Sequence, residues 1–183
     1  MPADKPFKHR AALLAAGREI AERDGLKALT AARLCTAAKV GERAFKRQYP
    51  AMNAFLLDLA EVMLDEARDL TTRLTHNMPA GVGRLKLAME TYLSANQQRP
   101  VLREIMRDLR GDDAVEALVK RRLVGFTMMT QLELRRVKWP NAEITARLLT
   151  TAALETIFAE FEAGRALPEY RDVMFRYLDS RPA

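Results

Sequence analysis

Leu and Ala together supply 54 of the 183 residues, whereas Val and Ile supply only 13. Leu and Ala lose little on entering a helix, and β-branched residues are what strands favour. That ratio excludes a β-rich or alternating α/β fold and predicts an all-α chain. A chain of this length buries roughly 70% of its unfolded surface, enough for one large domain or two small ones. One cysteine rules out an intramolecular disulfide framework and fits a reducing compartment. No apolar run approaches the roughly 18–20 residues that a membrane helix needs. The opening Met1-Pro2-Ala3-Asp4-Lys5-Pro6 lacks the apolar stretch of a signal peptide. The expectation is a soluble cytoplasmic protein without a membrane partner.

The net charge of +6 is concentrated in the first third. Residues 1–55 hold eleven Lys and Arg against five Asp and Glu, whereas residues 56–183 hold nineteen of each. A small basic unit joined to a neutral larger one suggests a polyanion reader attached to something else. We place the reader at 1–51 and a second helical domain at 52–183.

Apolar periodicity and breakers divide the chain into nine helices. The first covers about 8–23, with Leu13, Leu14, Gly17, Ile20 and Ala21 on one face and Gly25 as its stop. The second starts at the N-cap Thr30 and ends near 37. After the break Ala38-Lys39-Val40, the third covers about 41–49 and ends at Pro50. The others fall at about 52–75, 80–96 behind Pro79, 100–110, 113–138, 142–164 capped by Asn141, and 168–178. The two ends are expected to be disordered.

Two short helices joined by a three- to four-residue break, after a longer first helix, have helix-turn-helix geometry. On a wheel of the third helix, Arg43, Lys46 and Arg47 fall on one side. Phe45 and Tyr49 fall on the other, with Val40 beside them at the turn. The apolar side packs inward and leaves the cations facing out beside Lys39. Such a face suits the DNA major groove, where Arg reads guanine and Lys pairs with phosphate. Free N–H groups at the start of the second helix, at Thr30, offer a phosphate anchor. The candidate DNA contacts are Lys8, Arg10, Thr30, Lys39, Glu42, Arg43, Ala44, Lys46 and Arg47.

Residues 10–57 resemble the reader of TetR-type transcriptional regulators. The resemblance rests on Leu13-Leu14-Ala15-Ala16 with Ile20 and Gly25, on Thr30 and Leu34, on Val40 in the turn, on Tyr49, and on Phe55-Leu56. There are departures. Lys39 stands where the turn usually has Gly, Gly41 replaces a capping Ser, and Arg43 replaces a Gly. Lys46 replaces a Tyr that commonly touches phosphate, and Ala51-Met52 replace Ser-Lys. Gly17 and Ala21 are smaller than usual, which suggests unusually close packing of the first helix. The resemblance implies a dimeric, ligand-responsive regulator of a palindromic operator on double-stranded DNA, a repressor rather than an activator.

The seventh helix is apolar on almost every side at its middle, and the eighth shares the habit. A helix of that kind needs cover on two sides. Either a second copy of the chain supplies it, or the helix is internal to a monomer. The resemblance favours a homodimer, with Gly125, Met128, Leu132, Leu149, Ala153 and Ile157 as interface candidates. It also implies a small-molecule effector in the second domain. Candidates are Met63, Glu66, Leu70, Met89, Tyr92, Met106, Phe126, Met129 and Thr130, which read equally as plain core. Their apolar character favours an apolar or amphipathic ligand, or a cationic one if Glu66 faces inward.

Catalytic patterns are absent. His9 and His76 have no partner at metal-ligand spacing, so no metal is expected. Cys35 reads as a small buried hydrophobe, with a redox thiol as the lesser option. Gly81 and Gly83 lack the preceding strand and third glycine of a dinucleotide loop. We expect no cofactor and no enzyme. The alternatives are a helical interaction protein and a non-hydrolytic helical enzyme, neither binding DNA.

Overall fold

The computed structural model describes residues 8–180. Among them are nine α-helices and no strand: α1 Arg10–Asp24, α2 Ala31–Ala38, α3 Glu42–Gln48, α4 Met52–Thr75, α5 Val82–Gln97, α6 Pro100–Asp108, α7 Asp113–Arg136, α8 Ala142–Ala163 and α9 Pro168–Asp179. A single 3-10 turn, Leu26–Ala28, follows α1. The all-α expectation holds. The expectations placed on residues 1–7 and 181–183 lie outside the described residues.

Two starts differ from the sequence reading. Helix α5 begins at Val82 rather than directly behind Pro79, because Gly81 stands at φ 145, outside any helix. Asn141 does not cap α8 with its side chain. It adopts the left-handed conformation instead, as Lys138 does, and these two residues turn the chain between α7 and α8.

The described chain forms two compact units. The first runs to Met63 and takes in Pro100–Gly111; the second comprises Leu64–Arg99 and the chain from Asp112 onward. The first unit therefore contains the start of α4 and all of α6 as well as α1 to α3.

The core of the first unit is built on Leu13, Leu34, Phe55 and Leu59 from α1, α2 and α4, with Leu102 and Ile105 from α6. Phe45, Tyr49 and Phe55 form a ring cluster with centroids 5.3–6.0 Å apart, within the usual range of aromatic pairing. Gly17 lets α1 come close. A Cβ there would stand 2.8 Å from Phe55 Cε1, nearer still to its Cζ, and 3.2 Å from Leu34 Cδ2. Both neighbours are fully buried and have nowhere to go. Gly17→Val should therefore destabilise the unit by about 1–3 kcal/mol through overpacking, with Val's better helix propensity recovering only a fraction. Urea unfolding checks the sign, which helix propensity alone would reverse.

The second unit packs Leu85, Met89, Leu134, Trp139, Ala142, Ala146, Leu149 and Leu178 into one cluster. Two ion pairs fasten its ends. Glu133 on α7 accepts from the Gly81 N–H at 3.0 Å and from Arg84, closing the α4–α5 connection onto α7. Burial pushes the Glu133 carboxyl up, but Arg84, the Gly81 N–H and nearby Arg136 together hold it below its usual range. Arg171 on α9 places Nε and Nη2 on the two Glu160 oxygens, each at 2.7 Å. Its Nη1 reaches Glu90 at 2.7 Å and Ser94 at 2.8 Å.

Candidate nucleic-acid interface

Helix α2 starts where its cap predicts. The Thr30 side chain accepts from the Arg33 N–H at 3.3 Å, and Thr30 itself is exposed. At the other end the chain must reverse within two residues. Lys39 does this at φ 55, ψ 41, in the left-handed region. The Val40 N–H then reaches back to the Cys35 carbonyl at 2.9 Å, and the Lys39 N–H to that of Thr36 at 3.3 Å. This closure normally falls to glycine, since a side chain there costs about 1–2 kcal/mol. Lys39→Gly should thus raise stability by about 0.5–1 kcal/mol, part of the relief being offset by the greater freedom of Gly in the unfolded chain. Because it deletes a cation, the same change should weaken polyanion binding. Thermal unfolding and a DNA titration on the one variant would show the two effects moving in opposite directions.

Helix α3 divides as its pattern predicts. Phe45 and Tyr49 are buried, as is Val40 at the turn. Arg43, Lys46, Arg47 and Lys39 are exposed, with Glu42 also exposed and Ala44 half-buried. Lys46 stands 3.9 Å from Glu42, a surface pair of little worth that a phosphate could displace. Lys39, Arg43 and Arg47 hold no ion pair among the described residues. Gly41 begins α3 without a side-chain cap. Lys8, just ahead of α1, is exposed.

Arg10 differs from the cations of α3: its Nε and Nη2 are held by Asp58 of α4 at 2.9 and 2.5 Å. The Tyr49 hydroxyl donates to the same carboxylate at 2.6 Å. Burial, and then Asp58, push the Tyr49 phenol far above its ordinary value, so it stays a donor. Asp58 thereby ties the start of α1 and the end of α3 to α4. Sequence reasoning missed this latch. Its members lie 9 and 48 residues apart, and no local pattern joins them.

The effector candidates separate. Met63 and Met106 are buried within the first unit, and Met89 belongs to the packed core of the second. Met129 is 60% exposed. Tyr92 and Phe126 do meet, with ring centroids 4.4 Å apart. Leu70 is half-buried and Thr130 buried. The Glu66 carboxylate lies 3.6 Å from the Arg99 guanidinium. Next to Tyr92, Asn96 is fully buried; its Nδ2 donates to the Tyr92 carbonyl at 2.8 Å, while its Oδ1 meets no donor among the described residues.

The dimer candidates separate too. Gly125, Met128 and Leu132 are exposed on α7. Leu149 is 4% exposed and belongs to the internal core. Ala153 packs partly against that core, and Ile157 is half-buried. The outward apolar residues of α8 are Ile144 and Leu148, one position before Leu149. With Val124, Met128 and Leu132 on α7, which packs along α8, they form an unpartnered apolar face.

Cys35 is buried, and burial raises its thiol, which suits a small hydrophobe. His76 Nδ1 lies 2.9 Å from the Arg73 carbonyl. Among the described residues no cluster of three His, Cys, Asp or Glu could hold a metal, and no helix is long and apolar enough to cross a membrane.

No family model and no curated protein matches the sequence. Solved structures do match. The chain is similar to FadR of Thermus thermophilus, a TetR-family transcriptional repressor solved with lauroyl-CoA. The TM-score is 0.66 at 21% identity, covering 95% of each chain. It is similar to reduced E. coli NemR, with a TM-score of 0.66 at 15% identity, covering 96% of this chain and 98% of that one. A transcriptional regulator of Rhodococcus sp. Rha1 matches with a TM-score of 0.64 at 15% identity, covering 92% and 95%. The fold along nearly the whole chain is that of TetR-type regulators.

Proposed function

We propose that this chain, which has the TetR-type fold, is a DNA-binding transcriptional regulator: a homodimer that represses from a palindromic operator and is released by a small ligand. The observation that carries the reading is the outer face of α3. Four exposed cations, three of them without an ion pair among the described residues, stand over a buried aromatic base and a closed turn. A major groove would neutralise them all at once. Lys39, Arg43, Lys46 and Arg47 are the contacts, with the α2 N-terminus at Thr30 as a phosphate anchor and Lys8 as a further cation.

Two copies are needed because one small reader binds weakly and twofold half-sites multiply its affinity. The face of Val124, Met128, Leu132, Ile144 and Leu148 supports a twofold contact, since a contiguous apolar patch on a soluble chain marks an interaction surface. The effector site centres on Tyr92 and Phe126, with Leu70, Thr130 and Glu66 nearby. With Glu66 balanced by Arg99, an apolar or amphipathic ligand fits better than a cationic one. The unmet Asn96 acceptor favours a ligand that also carries a hydrogen-bond donor. Repression needs only occupancy of a promoter; no enzymatic role is proposed.

Selection of bound fragments from a random DNA pool tests the reading. An inverted repeat should emerge with wild-type protein, and Arg43→Ala should relax the choice at one position of each half-site at a cost of about 1–3 kcal/mol. A pool without enrichment would refute sequence-specific regulation.

A further inference from the structure

Reading a base demands more of α3 than an exposed cationic face. A bidentate contact between Arg43 and a base holds only within about 0.5 Å and about 10–20° of its productive geometry. Helix α3 is seven residues long and begins at Gly41 without a side-chain cap, so it does not fix its own direction. Phe45 and Tyr49 seat it through ring contacts with Phe55. Ring contacts bury the face but tolerate a range of angles, and by themselves they let a short helix roll on its apolar side.

A polar bond at the end of α3 removes that freedom. The hydroxyl of Tyr49, the residue that closes α3, donates to Asp58 Oδ2 at 2.6 Å. The Tyr49 N–H donates to the Phe45 carbonyl at 2.8 Å, which joins the ring to the last turn of the helix. Half-buried Asp58 is itself held from α1: Arg10 Nε lies 3.2 and 2.9 Å from its two oxygens, and Nη2 2.5 Å from Oδ1. A carboxylate gripped by a planar guanidinium fork has little freedom to turn. The acceptor that Tyr49 meets is therefore fixed by α1 as well as by the backbone of α4.

We propose that Asp58, given the DNA-reading role of α3 proposed above, is a positioning residue for sequence choice: through Tyr49 it sets the angle at which α3 presents Arg43 to a base edge. Lys39, Lys46 and Arg47 are long and flexible and reach phosphate from a range of helix angles. Loss of the bond should thus cost preference for the operator and leave affinity for random DNA alone. A merely structural role would lower the folded fraction and weaken both equally.

The test measures the affinity of the full chain for two DNAs at one salt concentration: the inverted repeat that the wild-type chain selects from a random pool, and a scrambled duplex of the same length. Tyr49→Phe keeps the ring contacts and deletes the hydroxyl; Asp58→Ala deletes the acceptor. Each should lower the ratio of operator to scrambled affinity by about tenfold, the scale of one weakened base contact, with the scrambled affinity unchanged. Both changes remove the same bond, so Tyr49→Phe should add nothing further in the Asp58→Ala background. Should Asp58→Ala fail to fold, Tyr49→Phe decides alone. A wild-type ratio in Tyr49→Phe, equal losses on both DNAs, or additive losses in the double variant would each overturn the role of Asp58 and leave the regulator reading standing. A pool that enriches no repeat would overturn that reading, and the positioning role with it.

Discussion

Met128→Glu combined with Leu148→Glu should yield a folded monomer that has lost DNA affinity by at least about 100-fold, the scale of a lost bivalent advantage. The two side chains are 60% and 65% exposed. Carboxylates at these positions remain in water in the monomer and cost its fold little. In a twofold contact four carboxylates would be buried against apolar surface, each at a cost of several kcal/mol. Light scattering should report the monomer mass, and circular dichroism an unchanged helix content. A double variant that still dimerises would place the interface elsewhere. Ala153→Arg would be a poorer probe, because Ala153 packs partly against the internal core and Arg there would disrupt the monomer as well.

Arg171→Met should be the most damaging change away from both surfaces, costing about 3–5 kcal/mol. Glu160 is 1% exposed, and among the described residues its charge is matched only by Arg171 and the Leu167 N–H, from which it accepts at 3.0 Å. Without the guanidinium it keeps an uncompensated buried charge. Against a total stability of about 5–15 kcal/mol, that is a large fraction. The double change Glu160→Met with Arg171→Met should regain much of the loss, because it removes the orphan charge as well. Denaturant unfolding of the single and double variants measures the difference. A single variant within about 1 kcal/mol of wild type would mean that the pair contributes no more than a surface bridge.

How far the sequence could be read depends on what sets each feature. The two sides of α3 were legible because Phe45 and Tyr49 alternate with Arg43, Lys46 and Arg47 at helical spacing, and local pattern alone decides which side faces in. The departure at Lys39 was legible as an oddity, and its left-handed backbone supplies the physical reason glycine is usual there. The close approach at Gly17 was likewise legible from residue size. On α8 the pattern fails. Leu148 and Leu149 are equally apolar, so only tertiary packing decides that Leu149 enters the core and Leu148 faces out. Met128 and Met129 are both exposed for the same reason, although sequence assigned one to an interface and the other to a pocket. Long-range polar contacts left no trace in the pattern: Asp58 with Arg10, Glu133 with Arg84, and Arg171 with Glu160 and Glu90 each join separate helices or the segments next to them.

The proposal that α3 reads DNA is tested most directly by salt. With Arg43 on a base, Lys39, Lys46 and Arg47 in each of two protomers neutralise about six phosphates, so affinity should fall roughly 10³-fold between about 50 and about 200 mM salt. Changing Arg43, Lys46 and Arg47 to Ala removes four of those phosphate contacts per dimer and should reduce the log–log slope by about four. These side chains are exposed and outside the core, so the fold should be unaffected. A steep wild-type slope that flattens in the triple variant is the expected result. A shallow wild-type slope, or a triple variant with the wild-type slope, would remove α3 from the interface and with it the DNA-binding function.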